Sequence, residues 1–368
     1  MRATFPRAAL LALALSTVPA AASAEVELVP EVVDATVGVE LGSAATAEDD
    51  PAVGRSTEVA APIPFTMIGF ELPDGVDAVE VRTATDDGDW SEWYELERIG
   101  PSEGPDPGTA EAEASRAASH TEVAWVGEST RFEVAVPAGA SVTAADAVGS
   151  VVEATVLDTD GLSGGPVERQ VGDVAAATSS AAPQPAIVSR AQWGAQAPRN
   201  DPSYAAGIDL TVVHHTAGSN DYTPEQAAGQ VRGIQDYHRN TLGWSDIGYH
   251  VLVDRYGQLY EGRAGGLDQA VIGAHASGFN TGSFGISVMG NFEHVDAPQA
   301  AYDALYDAIA WKATIHGFDP LGTTPDRTYG GAPVRTVDGH RNVGQTVCPG
   351  LIQDRMWQIR EQAAARMG

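Results

Sequence analysis

Histidine and cysteine are the residues of this chain best suited to chemistry, and their placement is uneven. Of nine His and one Cys, eight His and the Cys fall in the C-terminal half. His340 and Cys348 stand eight positions apart across the polar loop 341–347, which can curl both side chains toward one point. His214, at the end of an apolar β-branched run, could supply a third donor. Two imidazoles, one thiolate and an open fourth position make a catalytic rather than a closed structural zinc site. Taken alone, however, a His and a Cys at this spacing are more often a chance pair than a metal site.

Strands and helices are needed to hold these residues. Asp209–Val213 reads as a buried strand ending at His214. Thr223-Pro224-Glu225-Gln226 supplies a cap, a proline at the first helical position and a Gln three after the cap, predicting a helix to about Asn240. Tyr249–Asp254 and Gln258–Glu261 flank Arg255-Tyr256-Gly257 as a hairpin, and Phe284–Met289 is another strand. Tyr302, Leu305, Tyr306, Ile309 and Ala313 lie at helical spacing, and a last helix opens after Pro349. The C-terminal half is therefore an α/β domain with a central mixed β-sheet flanked by helices.

The rest of the chain differs in kind. The 368 residues carry a net charge of -29, of which -26 falls within 25–187 and only -5 within 188–368, with two arginines in the leader. An isoelectric point near 4.4 argues against nucleic acid as a partner, since nothing would neutralise a run of phosphates. One cysteine excludes an internal disulfide framework. Arg2 and Arg7, the apolar run Ala8–Leu15 and Ala22-Ser23-Ala24 form a secretory leader over 1–24, too short to span a bilayer. The mature protein is expected to be secreted to the cell wall or beyond, with no transmembrane segment, as a monomer. Residues 25–60 are expected to be a flexible acidic segment. Residues 61–162, with period-two alternation and turns about every ten residues, are expected to be an all-β, sandwich-like domain in which Pro101–Ser119 is a long loop. Residues 163–186 read as a linker, followed by the α/β domain over 187–368. Trp90, Trp93 and Tyr94 are either core aromatics or a glycan platform, and Asp86, Asp87 and Asp89 a solvated turn rather than a Ca²⁺ loop.

Eight motifs then occur in order: Ser189-Arg190-Ala191-Gln192-Trp193-Gly194, Val213-His214-His215-Thr216, Asp246-Ile247-Gly248-Tyr249-His250, Tyr260-Glu261-Gly262-Arg263, Ala274-His275, Phe279-Asn280-Thr281-Gly282-Ser283, Gly290-Asn291-Phe292 and Gly339-His340-Arg341. In this order they resemble the peptidoglycan recognition proteins and the zinc-dependent N-acetylmuramoyl-L-alanine amidases of type 2. The resemblance covers about Ile187 to Arg360. It implies a Zn²⁺ cofactor held by His214, His340 and Cys348, with Tyr249 and Thr346 catalytic and His275, Asn280 and Arg341 in the substrate groove. Arg341 could equally form a salt bridge within the domain. It further implies hydrolysis of the lactyl-amide bond between N-acetylmuramic acid and L-alanine, with peptidoglycan, muropeptide stem and glycan, as partner. Non-catalytic relatives commonly lack the cysteine, so Cys348 favours an enzyme over the alternative, a non-hydrolytic peptidoglycan-binding protein. There are departures from the family pattern. Ser287 stands where some relatives have a glutamate, Ala264-Gly265-Gly266 matches neither stem-discriminating dipeptide, and the disulfide of animal members cannot form. His215, His238, His250, His294 and His316 read as structural or surface residues, Trp244 and Tyr237 as core or groove wall. The acidic N-terminal half is open to three readings: a spacer, a wall-binding module, or an inhibitor or adaptor of the enzyme.

Overall fold

The computed structural model describes residues 32–42, 54–137, 149–159 and 182–368. The expected leader and most of the expected linker lie outside them. No helix among the described residues is long and apolar enough to cross a membrane.

Seven strands build the N-terminal sheet: β1 (Val33–Glu40), β2 (Gly54–Arg55), β3 (Val59–Glu71), β4 (Ala78–Ala84), β5 (Tyr94–Glu97), β6 (Ala124–Val136) and β7 (Val151–Asp158). All pairings are antiparallel, in the order β1-β7-β3-β6-β4-β5, with β2 also paired to β6. Residues from both ends of this order share one apolar cluster, Val39 and Leu41 with Val79, Val81 and Leu96. The sheet therefore wraps its own core, in keeping with the sandwich-like expectation. β1 corrects the expectation of a flexible segment over 25–60. Ala35, Val37 and Val39 alternate inward along it, a period-two pattern that the Asp and Glu content of the region obscured. The stretch expected to be a plain loop contains α1 (Ala110–Ala114), capped by the Thr109 side chain. Trp90 and Trp93 are neither core nor an open platform. The Arg82 guanidinium lies 4.8 and 4.9 Å from their rings, Arg131 lies 4.9 Å from Trp90, and Arg55 lies 4.8 Å from Trp93.

The second sheet has six strands: β8 (Ile187–Val188), β9 (Leu210–His215), β10 (Val251–Val253), β11 (Leu259–Glu261), β12 (Ser283–Val288) and, after the small hairpin β13 (Thr323–Tyr329) and β14 (Ala332–Arg335), β15 (Val337–Gly339). Its order is β15-β9-β12-β10-β11-β8, mixed, with only β10 and β11 antiparallel. The short helix α2 (Arg190–Trp193) follows β8, and α3 (Pro224–Asp236) follows β9. Gln226 reaches back to the Thr223 amide at 2.8 Å, as the capping pattern requires. A π turn, Tyr237–Thr241, completes that helix. Helices α4 (Gln299–His316) and α5 (Met356–Arg366) pack on the opposite face, against Val251, Val253, Ile286 and Val288. The face toward α3 buries Leu252 and Tyr260 instead, and its apolar cluster takes in Met67, Trp125 and Leu157 of the N-terminal sheet.

Candidate active site

Parallel neighbours β9 and β15 end side by side, and open α/β sheets build their sites at the carboxyl ends of such strands. His214 is next to last in β9, and His340 begins the turn that follows β15. Adjacent strand residues face opposite ways, so His215 points elsewhere and accepts from the Phe292 amide. Asp338 locks the His340 turn, accepting from Asn342 Nδ2 at 2.9 Å and pairing with Arg360 at 3.0 Å. Arg341 braces the following loop, its amide donating to the Cys348 carbonyl and its guanidinium to the carbonyls of Val347 and Gly350. Of the three residues expected in the groove, Arg341 is thus turned to its own loop. Its guanidinium positions Cys348.

His214, His340 and Cys348 come together, all buried, with one donor atom from each within 4.8 Å of the others. His214 Nδ1 lies 3.7 Å from Cys348 Sγ. Tetrahedral zinc, with Zn–N about 2.0–2.1 Å and Zn–S about 2.3 Å, separates such a pair by about 3.6 Å, so the spacing fits. The other ring nitrogens are occupied. His214 Nε2 meets His275 Nδ1 at 3.0 Å, and His340 Nε2 meets the Ser102 carbonyl at 3.1 Å. Partners of that kind fix ring orientation and leave both Nδ1 atoms for a metal. Burial pushes His340 down to about 4 and His214 well below the usual imidazole range, while it pushes the Cys348 thiol well up. Neutral imidazoles beside a buried thiol need a cation to favour the thiolate, and this is the donor chemistry of a zinc site.

Tyr249 stands just before β10, its ring 5.3 Å from that of His214. Burial holds its hydroxyl protonated. Thr346 Oγ1 accepts from the Cys348 amide at 3.2 Å and faces Glu103 Oε1 at 3.4 Å. His275 sits behind His214 rather than in an open groove, and a Cβ on Gly273 or Gly285 would strike its ring. Asn280 Oδ1 accepts from the amides of His275 and Ala276 at 2.8 and 3.0 Å, fixing that loop. His238 and His250 are structural, each bonded to backbone through a ring nitrogen.

The N-terminal domain enters the site, which the residue pattern gave no means of seeing. Ser102, Glu103 and Gly104 lie over the ligands, and Glu122 joins the cavity wall while holding His238 Nε2 at 3.0 Å. Burial, then the charge of Glu122, pushes the Glu103 carboxyl up to about 7. The nearest sequence signal was the unexplained run of Pro, Glu and Ala at 101–119.

Comparison with known proteins agrees with the geometry. A family model described as N-acetylmuramoyl-L-alanine amidase matches residues 204–351. The chain is 35% identical over 168 residues to peptidoglycan-recognition protein SC2 of Drosophila simulans, covering 45% of this chain and 80% of that protein. The chain belongs to the amidase and peptidoglycan recognition protein family. To peptidoglycan recognition protein 1 of Bos indicus this family member is 36% identical over 177 residues, 48% of its own length and 83% of the relative's. To the N-acetylmuramoyl-L-alanine amidase of Homo sapiens it is 33% identical over 171 residues, 45% of this chain and 27% of that one. Residues 20–156 match a model described as Rv3811 N-terminal galactose-binding domain-like.

Proposed function

We propose that the protein is a zinc-dependent N-acetylmuramoyl-L-alanine amidase acting on peptidoglycan outside the cytoplasm. The observation that carries the reading is the meeting of His214, His340 and Cys348 beside Tyr249, one donor atom of each within 4.8 Å of the others. A zinc ion held there would supply Lewis-acid activation of water and of the scissile lactyl carbonyl. The chain's own residues do the rest. His275 holds the His214 imidazole in its ligating orientation. Tyr249, kept protonated, donates to the oxygen on which charge develops. Thr346 steadies Cys348 by accepting from its amide, and its hydroxyl donates to Glu103 Oε1. The leader pattern over 1–24 supports secretion. The accessory domain then begins by Val33, earlier than composition suggested, and the amidase domain occupies 187–368.

Mass spectrometry of muropeptides after incubation of purified peptidoglycan with the zinc-loaded chain tests this. Free stem peptides beginning with L-alanine are expected, and Cys348→Ser should release none. Binding to intact peptidoglycan with no release would leave the non-hydrolytic recognition reading in its place.

A further inference from the structure

The candidate ligands are largely withdrawn from solvent. His214, His340, Cys348 and Tyr249 are each buried, and the cavity they share is only about 60 Å³. That is room for about two waters, at about 30 Å³ each. Sites for ligands larger than that need several hundred Å³. Glu103 and Gly104, from one segment of the N-terminal domain, narrow this cavity. The feet of that segment are tied together, Ile99 N to His120 O at 2.8 Å with a further bridge between Arg98 and Thr121, so the intervening residues form a loop with a closed neck.

Side chains along its whole length fasten this loop to the amidase domain. Near its C-terminal foot the Arg116 guanidinium donates to the Thr241 and Asn240 carbonyls, and the Ser115 hydroxyl accepts from Trp244 Nε1 at 3.0 Å. Ser102 accepts from the Gln345 amide through its hydroxyl at 2.9 Å and from the Ser277 amide through its carbonyl at 2.9 Å. Asp106 takes donors from Gly278 N, Asn280 N, Asn280 Nδ2, Thr281 N and Thr281 Oγ1, at 2.8 to 3.2 Å. Glu111 binds Arg263 Nη2 through both oxygens at 2.6 Å and accepts from Ser245 N at 2.8 Å. At Asp106 and Glu111 the amidase domain provides the donors and the loop the carboxylates. That pattern is how a groove receives an acidic peptide. Behind the loop, against Asp77, Glu95, Glu97 and Arg98, lies an open cleft of about 980 Å³. The loop is therefore gripped by the domain it covers and loosely backed by the domain that carries it.

Resting on the amidase reading, we propose that Gly100–Ser119 is an autoinhibitory strap, an acidic peptide mimic seated in the groove that must withdraw before a muropeptide can reach His214, His340 and Cys348. Its carboxylates hold the donors that acidic groups of the stem peptide would otherwise engage.

Cys348 is the chain's sole thiol, so its alkylation reads strap opening without reference to activity. Iodoacetamide labelling of the metal-stripped full chain is compared with that of Asp106→Ala/Glu111→Ala. The double variant should label at least about tenfold faster, because the local closing equilibrium is weakened. Equal rates would overturn the strap. Asp106→Asn/Glu111→Gln, which keeps size and shape, should label faster in the same direction and covers misfolding of the alanine pair. With zinc restored, release of stem peptides should rise severalfold in both variants. A fall in release accompanied by unchanged metal content would overturn the proposal, since the strap would then complete the site. Faster labelling with no release from any form would uphold the strap and remove the hydrolase reading.

Discussion

The three candidate ligands His214, His340 and Cys348 depend on one another through their surroundings. Removing the Cys348 thiolate leaves two neutral imidazoles, a weak pair for zinc, so Cys348→Ser is expected to lose bound metal in elemental analysis and all amidase activity. Tyr249→Phe is different. It deletes one donor near the metal without touching a ligand, so zinc content should stay at one equivalent. If the hydroxyl serves the oxyanion, kcat falls by about 10²–10³, or about 2.7–4 kcal/mol. A Tyr249→Phe enzyme within a factor of about two of wild type would take the tyrosine out of the mechanism. His275→Ala tests the positioning role that the structure gives it, and zinc affinity measured by competition with a chelator should drop about 10–100-fold. That His214, His340 and Cys348 meet was legible in the sequence because metal chemistry uses few residue types and the family motifs fix their order. Arg341 was not, because an arginine at a loop edge reads the same whether it meets substrate or its own backbone. Glu103, Asp106 and Glu111 were invisible for a plainer reason: their partners lie more than 130 positions away, and no local pattern encodes that.

Among the elements, periodicity found those whose own run shows the pattern clearly and missed those whose composition masks it. The apolar run ending at His214, the capped helix α3 and the β10–β11 hairpin follow from alternation, caps and turns. β1, which pairs with β7, escaped because the acidic residues around it mask the alternation of Ala35, Val37 and Val39. The joint between the domains depends on another such feature. Gly218, in the loop after β9, lies against the backbone of Trp125, and an added Cβ would stand 2.7 Å from the Trp125 nitrogen. The Ser219 amide donates to the Trp125 carbonyl at 2.8 Å, so neither backbone can shift without breaking that bond. Gly218→Ala should therefore cost about 1–3 kcal/mol. Gly207→Ala, where an added Cβ meets nothing within 4 Å, should stay within about 0.5 kcal/mol. Chemical denaturation of the two variants checks the contrast, and equal midpoints would contradict the close approach.

At the scale of the whole molecule, the two domains are not beads on a string. Met67, Trp125 and Leu157 from the N-terminal sheet share an apolar cluster with Val231, Ile234, Tyr237 and Trp244. Buried polar contacts cross the same boundary, Tyr237 Oη to the Thr121 carbonyl at 2.9 Å and His238 to Glu122 at 3.0 Å. Unfolding one domain would expose this cluster and strand a buried tyrosine hydroxyl and a buried imidazole, so neither should melt alone. The acidity of the N-terminal half does not oppose the joint, because the Arg263 guanidinium pairs with Glu111 across it and His238 Nε2 hydrogen-bonds Glu122. Calorimetry of the full chain should therefore give one transition with equal calorimetric and van't Hoff enthalpies. Zinc sharpens the test. Binding only to the folded site, at about 100 times its dissociation constant it adds about 2.7 kcal/mol. Because the three candidate ligands sit in one domain, a metal-induced rise in midpoint would reach the other only through this shared core and the contacts of the 100–119 loop. A single peak moving up as a whole with zinc, and back with chelator, is the expected outcome. Two peaks of which only one moves would mean that the domains unfold independently, and the common cluster would then contribute little to either.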